Sequence, residues 1–174
     1  IGIPSKIVVE TKEKVQKGQV IATSGGYVSS NIHTPVAGTV TKLDMMVDSS
    51  GYKKQCIVIR TDQKDESNFE VPDFPLKKEI TMNQKDILQH ITDSGIVGLG
   101  GATFPSHVKL DLKNDNHVDC LLINGVECEP YLTADHRLML EKADEIIVGI
   151  QILLHALHIQ KAIIGIENNK KDAI

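Results

Sequence analysis

Two short apolar runs, VDCLLI (residues 118–123) and KAIIGI (residues 161–166), flank a long stretch of helical periodicity, and that order constrains the fold most. Between them Leu138, Ala143, Ile146, Ile147, Ile150, Leu153, Leu154 and Leu157 recur at three- and four-residue spacing, after a capping Thr133. Each run is compact and largely apolar, the pattern of a strand buried on both faces. A strand, a crossover helix and a second strand form a βαβ unit, which requires a parallel pair.

Upstream the pattern differs. Asn83 caps a predicted helix that places Ile87, Leu88 and Ile91 on one face and ends at Gly95. Before it, residues 62–78 are polar and charged with two prolines and read as a linker. The first third carries short Val, Ile and Thr runs at residues 7–9, 20–22, 38–41 and 56–59, with turns at Lys17-Gly18, Gly25-Gly26 and Ser50-Gly51. The expectation is therefore an α+β chain of two domains: an all-β unit over residues 1–62, a linker over 63–78 and an α/β domain over 79–174.

Composition removes several function classes. A net charge of −4, a pI near 6.0 and the absence of Trp argue against nucleic-acid partners. Cys56, Cys120 and Cys128 are too far apart for a disulfide framework or a cysteine-held metal, so no metal site is expected within the chain. The most apolar stretch, residues 146–159, contains Gln151, His155 and His158 and is too short to span a bilayer. The chain starts at Ile1 and stops at Ile174 after a strand-like run, and we read it as a piece of something longer, from a reducing compartment.

Two motifs are candidates for chemistry. GLGGATFPSHVKL (residues 98–110) lacks Cβ atoms at Gly98, Gly100 and Gly101, so its backbone can approach an anion or a flat ring. Its spacing is neither a dinucleotide fingerprint nor a Walker A, and a tight structural turn fits it equally. Lys109 close behind could meet a phosphate. The second motif, INGVECEP (residues 123–130), puts Asn124, Glu127 and Glu129 just past a buried strand, where α/β sheets hold their ligands. A solvated acidic turn is the plain alternative. Metal binding by Glu127, Cys128, Glu129 and His136 matches no standard set, and Glu167 could take a ribose or stand in a solvated turn.

Resemblance sharpens this. VQKGQVIA (residues 15–22) and HTPVAGTV (residues 33–40) resemble the two halves of a biotinyl/lipoyl-type barrel-sandwich domain. The hairpin between them, TSGGYV (residues 23–28), has no acceptor lysine, so a carrier role is excluded in favour of a structural or docking role. GLGGATFPSHVKL, then INGVECEPYLTADHRLM (residues 123–139), then IGIENNKKDAI (residues 164–174) resemble, in order, the flavin-domain motifs of RnfC, a component of the Rnf electron-transport complex. They are more distantly similar to the NADH-binding flavoprotein subunit of complex I.

That resemblance implies a barrel-sandwich unit followed by the first part of a Rossmann-like domain that binds FMN and NADH. Gly98, Gly100, Gly101, Lys109, Asn124 and Glu127 would contact FMN, and Phe104 and Glu129 would face NADH. No residue of the chain is assigned a catalytic role of its own. Two 4Fe-4S clusters are expected in the parent protein but outside this chain. The parent would sit peripherally on the cytoplasmic side of the bacterial inner membrane, among the other subunits of an electron-transport complex, and serve ferredoxin indirectly. A soluble homologue feeding an amino-acid reductase and a non-enzymatic docking module are the alternatives. Two departures stand out: Thr103 replaces a Gly of the family pattern, where a β-branched residue disfavours positive φ, and Val126 replaces the Asp of complex I.

Overall fold

The computed structural model describes residues 2–61, 74–99, 102–112 and 117–174. Most of the predicted linker, residues 63–73, lies outside the described residues. The chain is of mixed α and β type, and its contacts group it into two compact units. One comprises Ile1–Asp73 with His90–Val108, the other Phe74–Gln89 with Lys109–Ile174.

In the first unit, β1 (Lys6–Ile7), β3 (Val20–Thr23) and β4 (Ile32–His33) form one antiparallel sheet, with β3 in the centre. A second antiparallel sheet holds β2 (Lys14–Val15), β5 (Gly38–Val47) and β6 (Lys53–Thr61), with β5 in the centre. Among the described residues these are two open sheets rather than a closed barrel. Val9, Val15, Ile21 and Val40 are buried together, with Ile7, Ile57 and Ile59 packed against them. Burying such side chains is the main stabilising term, about 1.5–3 kcal/mol each when complete.

The predicted runs at residues 38–41 and 56–59 grow into a hairpin of ten- and nine-residue strands. Its outer half escaped the sequence reading because Met45, Met46 and Val47 are all exposed, so no alternation marks them. Strands β2 and β4 are two residues each, too short to show any period. The turns at Gly18 and Gly51 lie where expected, both with positive φ.

Helix α1 (Gln84–Asp93) begins as anticipated, with the Asn83 side-chain oxygen accepting the Asp86 amide at 3.0 Å. Gly95 closes it with φ 65°, and a Cβ there would lie 2.3 Å from the Asn31 carbonyl oxygen. A short helix α2 (Ser106–Leu110), not foreseen, follows the glycine loop.

In the second unit, β7 (Leu121–Gly125) pairs in parallel with β8 (Ala162–Ile166), in the register Asn124 to Gly165 and Gly125 to Ile166. The βαβ expectation holds, with two corrections. The connecting stretch is two helices, α3 (Ala134–Glu141) and α4 (Ala143–Leu157), because Lys142 leaves the helical backbone at φ −130°, ψ 31°. The apolar spacing runs straight across that break, so periodicity could not mark it. The strands are also not buried on both faces: Leu122 is 72% exposed and Ile163 is exposed as well, since the two-stranded sheet leaves part of its surface uncovered. Among the described residues, no helix is long and apolar enough to cross a membrane.

Candidate functional site

Because β7 and β8 are parallel, the segments that leave them start at the same edge of the sheet. The acidic turn (residues 126–130) leaves β7, and residues 167–170 followed by one 3-10 turn (Lys171–Ala173) leave β8. The carboxyl edge of a parallel sheet is where α/β proteins bind ligands, since the strands diverge there into loops that can be varied freely.

Glu127 is the hub of this edge. Its side chain is only 4% exposed, and its oxygens accept the backbone N–H of Asp135 at 2.8 Å and of His136 at 3.4 Å. Those amides open α3, whose first donors have no partner inside the helix. Thr133, the residue predicted to cap, makes no side-chain hydrogen bond to the helix. Glu127 replaces it from outside the helix, and a carboxylate beside the positive end of the dipole is favourable.

Lys170 completes the arrangement. Its ammonium, on a side chain 10% exposed, lies 2.6 Å from Glu127 and 2.5 Å from Glu167. Hydrogen bonding to Lys170 chiefly holds the Glu127 carboxyl below its ordinary range, against the opposing effect of desolvation. The same pairing with Glu127, then with Glu167, raises the lysine above its own. A second tie runs parallel to it, from His136 Nε2 to Asp172 at 2.9 Å. That bond lowers the Asp172 carboxyl in turn.

The sequence-predicted residues of this edge thus divide. Glu127 is buried and committed internally, and Glu167 is paired with Lys170. Asn124 lies within the last residues of β7 rather than past the strand, and its side-chain oxygen holds the Val126 amide at 3.1 Å; Cys128 and Glu129 lie on the turn, and both are exposed. Lys109 is exposed on α2 in the same unit. Among the described residues, no three His, Cys, Asp or Glu side chains converge as a metal site. Lys170 was missed by sequence reasoning. Its only trace was the Glu167-to-Lys170 spacing in a polar turn, which is also what a solvated surface pair looks like.

The glycine loop belongs to the first unit. An antiparallel bridge between Val97 and Pro105 pinches its base, and the Gly98 N–H donates to the Phe104 carbonyl at 2.9 Å. Gly100 and Gly101 lie outside the described residues. Leu99 projects into solvent. Thr103 adopts φ 50°, so the position that is Gly in the family pattern keeps a left-handed backbone here despite its β-branched side chain. Its hydroxyl donates to the Ala102 carbonyl at 2.7 Å. Beyond the loop, His107 meets Tyr27 edge-on and lies 3.2 Å from its carbonyl oxygen. The same unit has an open, mainly apolar groove of about 1160 Å³, with Ile3, Ile21, Ile57 and Thr103 in its lining.

Comparison with known proteins gives the family. Residues 1–64 match the RnfC barrel sandwich hybrid domain, and residues 91–174 match the Nuo51 FMN-binding domain. Over all of its 174 residues the chain is 45% identical to the C component of the proton-translocating ferredoxin:NAD(+) oxidoreductase complex of Clostridium ljungdahlii. The chain belongs to the RnfC family.

Two further relatives extend the match over the whole chain. The C component of the Na(+)-translocating ferredoxin:NAD(+) oxidoreductase complex of Acetobacterium woodii is 38% identical. That of the ion-translocating oxidoreductase complex of Rhodobacter capsulatus is 42% identical. The chain spans 38%, 39% and 33% of the lengths of these three RnfC proteins.

Proposed function

We propose that the chain is part of the NADH-reacting, electron-entry subunit of a membrane-associated NAD:ferredoxin oxidoreductase of the Rnf type, whose electron flow drives ion transport. The observation that carries this is the unbroken match, along the whole chain, to relatives named as the C component of such complexes. Within that reading, residues 1–62 are the barrel-sandwich unit, 63–78 the linker and 79–174 the first part of a Rossmann-like FMN and NADH domain. The other members of the complex are its partners, its place is peripheral on the cytoplasmic face of the inner membrane, and two 4Fe-4S clusters belong to the remainder of the parent protein.

The residues present fit a flavin nucleotide. Asn124 and Glu129 stand at the carboxyl edge of the parallel pair, and Lys109 offers a cation. The N-terminus of α3, a common phosphate seat, is filled by the Glu127 carboxylate. Bound FMN would supply the link between a two-electron hydride donor and one-electron acceptors. The chain's share is to bind and orient: Gly98, Gly100 and Gly101 through their backbone, Lys109 and Asn124 by hydrogen bonds, and Glu127 by completing the wall. Phe104 would stack on the nicotinamide nucleotide, and Glu129 would accept from its polar edge.

The test is an FMN titration of the full-length protein by fluorescence quenching, repeated with Lys109→Ala and Glu129→Ala. Saturable micromolar binding, weakened about tenfold by Lys109→Ala as loss of one charged hydrogen bond predicts, supports the reading. NADH-driven bleaching of the flavin should disappear with Glu129→Ala. No FMN binding by the intact protein would instead favour a non-enzymatic docking module. An intact complex recovered with membrane subunits separates the membrane reading from a soluble homologue feeding an amino-acid reductase.

A further inference from the structure

We infer that Lys170 is the positioning residue of the acidic turn: by bridging Glu127 and Glu167 it holds the carboxylate cap of α3 and fixes the placement of Glu127 and Glu129. Two groups of like charge leave the ends of adjacent parallel strands, and both face the same ammonium. Without it, Glu127 and Glu167 would repel each other across the sheet edge, and a buried, uncompensated carboxylate would withdraw from its place. Glu127 would then release the Asp135 and His136 amides. Glu127 stands in the turn that carries Glu129, so the placement of Glu129 depends on that anchor. His136 to Asp172 is a weaker second tie between the same two segments, since Asp172 is largely exposed.

The role fits Lys170 and not its neighbour. Lys170 is buried, whereas Lys171 is exposed. Its consequence for cofactor binding rests on the FMN reading above; the anchoring of the turn does not.

The experiment uses the full-length protein with Lys170→Met, Lys170→Arg, Glu127→Gln and the double variant Glu127→Gln/Lys170→Met. Amide hydrogen exchange reads the cap at Asp135 and His136, with β7 as the internal reference. In Lys170→Met, protection at the cap should fall about tenfold, the scale of one charge-assisted hydrogen bond, with β7 unchanged. The FMN dissociation constant should rise by about the same factor. Lys170→Arg should keep both within about threefold, since it retains the charge.

The double variant should be less impaired than Lys170→Met, because removing the second charge relieves the repulsion. Unchanged cap protection in Lys170→Met overturns the proposal. So does an equal loss at the cap and at β7 in both Lys170→Met and the double variant, which would make Lys170 a general folding residue. If cap protection falls while FMN binding stays the same, the link to the cofactor is wrong. If the unmodified protein binds no FMN and the cap still responds, the anchor stands and the flavin reading fails.

Discussion

A Cβ added at Gly125 would lie 2.9 Å from the carbonyl oxygen of Gly165, closer than a Cβ approaches a carbonyl oxygen in folded proteins. The two residues lie on neighbouring strands, β7 and β8, where the parallel pair ends. The same Cβ would stand 3.1 Å from the Met139 sulfur on α3, so strand and helix close on this point together.

Gly125→Ala should therefore destabilise the chain by about 1–3 kcal/mol, the range for overpacking where backbone must yield. The flexible Met139 can move aside, but the Gly165 carbonyl cannot. Urea denaturation followed by circular dichroism reads the change. Adding Met139→Ala should recover only a small part of it.

Thr103 holds a left-handed backbone, which costs a residue with a Cβ about 1–2 kcal/mol. Replacing it with Gly removes that strain but adds about 0.5–1 kcal/mol of unfolded-state entropy. The strain is the larger effect, so Thr103→Gly should stabilise the first unit by about 0.5–1 kcal/mol. Thr103→Ala should gain nothing comparable, since it keeps the Cβ and loses the hydroxyl bond to Ala102. Urea midpoints of the two variants give the comparison.

In the second unit, the acid limb of stability should belong to the carboxyl edge of the parallel pair. Glu127 and Asp172 titrate below their ordinary values of 4.5 and 3.8 in the folded chain. Their contribution is present above those values and is lost as pH falls through the lower folded ones. Lys170 runs the other way: raised above 10.5, it contributes fully below that pH and loses its effect as pH rises through its folded value. Urea midpoints should be flat across neutral pH and fall below about pH 4.5. In Glu127→Gln the acid slope should be shallower; an identical slope would remove Glu127 from the explanation.

Asn83 caps α1 through the Asp86 amide, and its own amide donates to the Asp86 carboxylate at 2.8 Å. Asn83→Ala should cost about 1 kcal/mol, while Asn83→Asp should cost less despite its charge beside Asp86. Thermal melts distinguish the two.

Local chemistry made part of this chain legible in advance. Asn83 and Gly95 mark the ends of α1 because a cap and a left-handed stop are properties of single residues. Leu121–Gly125 and Ala162–Ile166 pair in parallel because the helical stretch between them leaves no other economical connection. The order of the motifs also pointed to the RnfC family. The break at Lys142 was not legible, because the apolar spacing on either side is continuous. The cap of α3 was misassigned to Thr133, the adjacent residue of the right type, since a capping carboxylate well upstream leaves no mark on local pattern.

The sequence by itself determined the β-rich first third, the ends of α1, the parallel strand pair and the family, all of which follow from short-range spacing and motif order. Only the tertiary structure decided what the two carboxylates of the acidic turn do. Glu127 and Glu129 are chemically identical and two positions apart, yet one is buried and paired with a lysine 43 residues away while the other faces solvent. That difference arises from the register of β7 on β8, which carries Lys170 to the edge where Glu127 leaves the sheet, and no local feature of either segment encodes it.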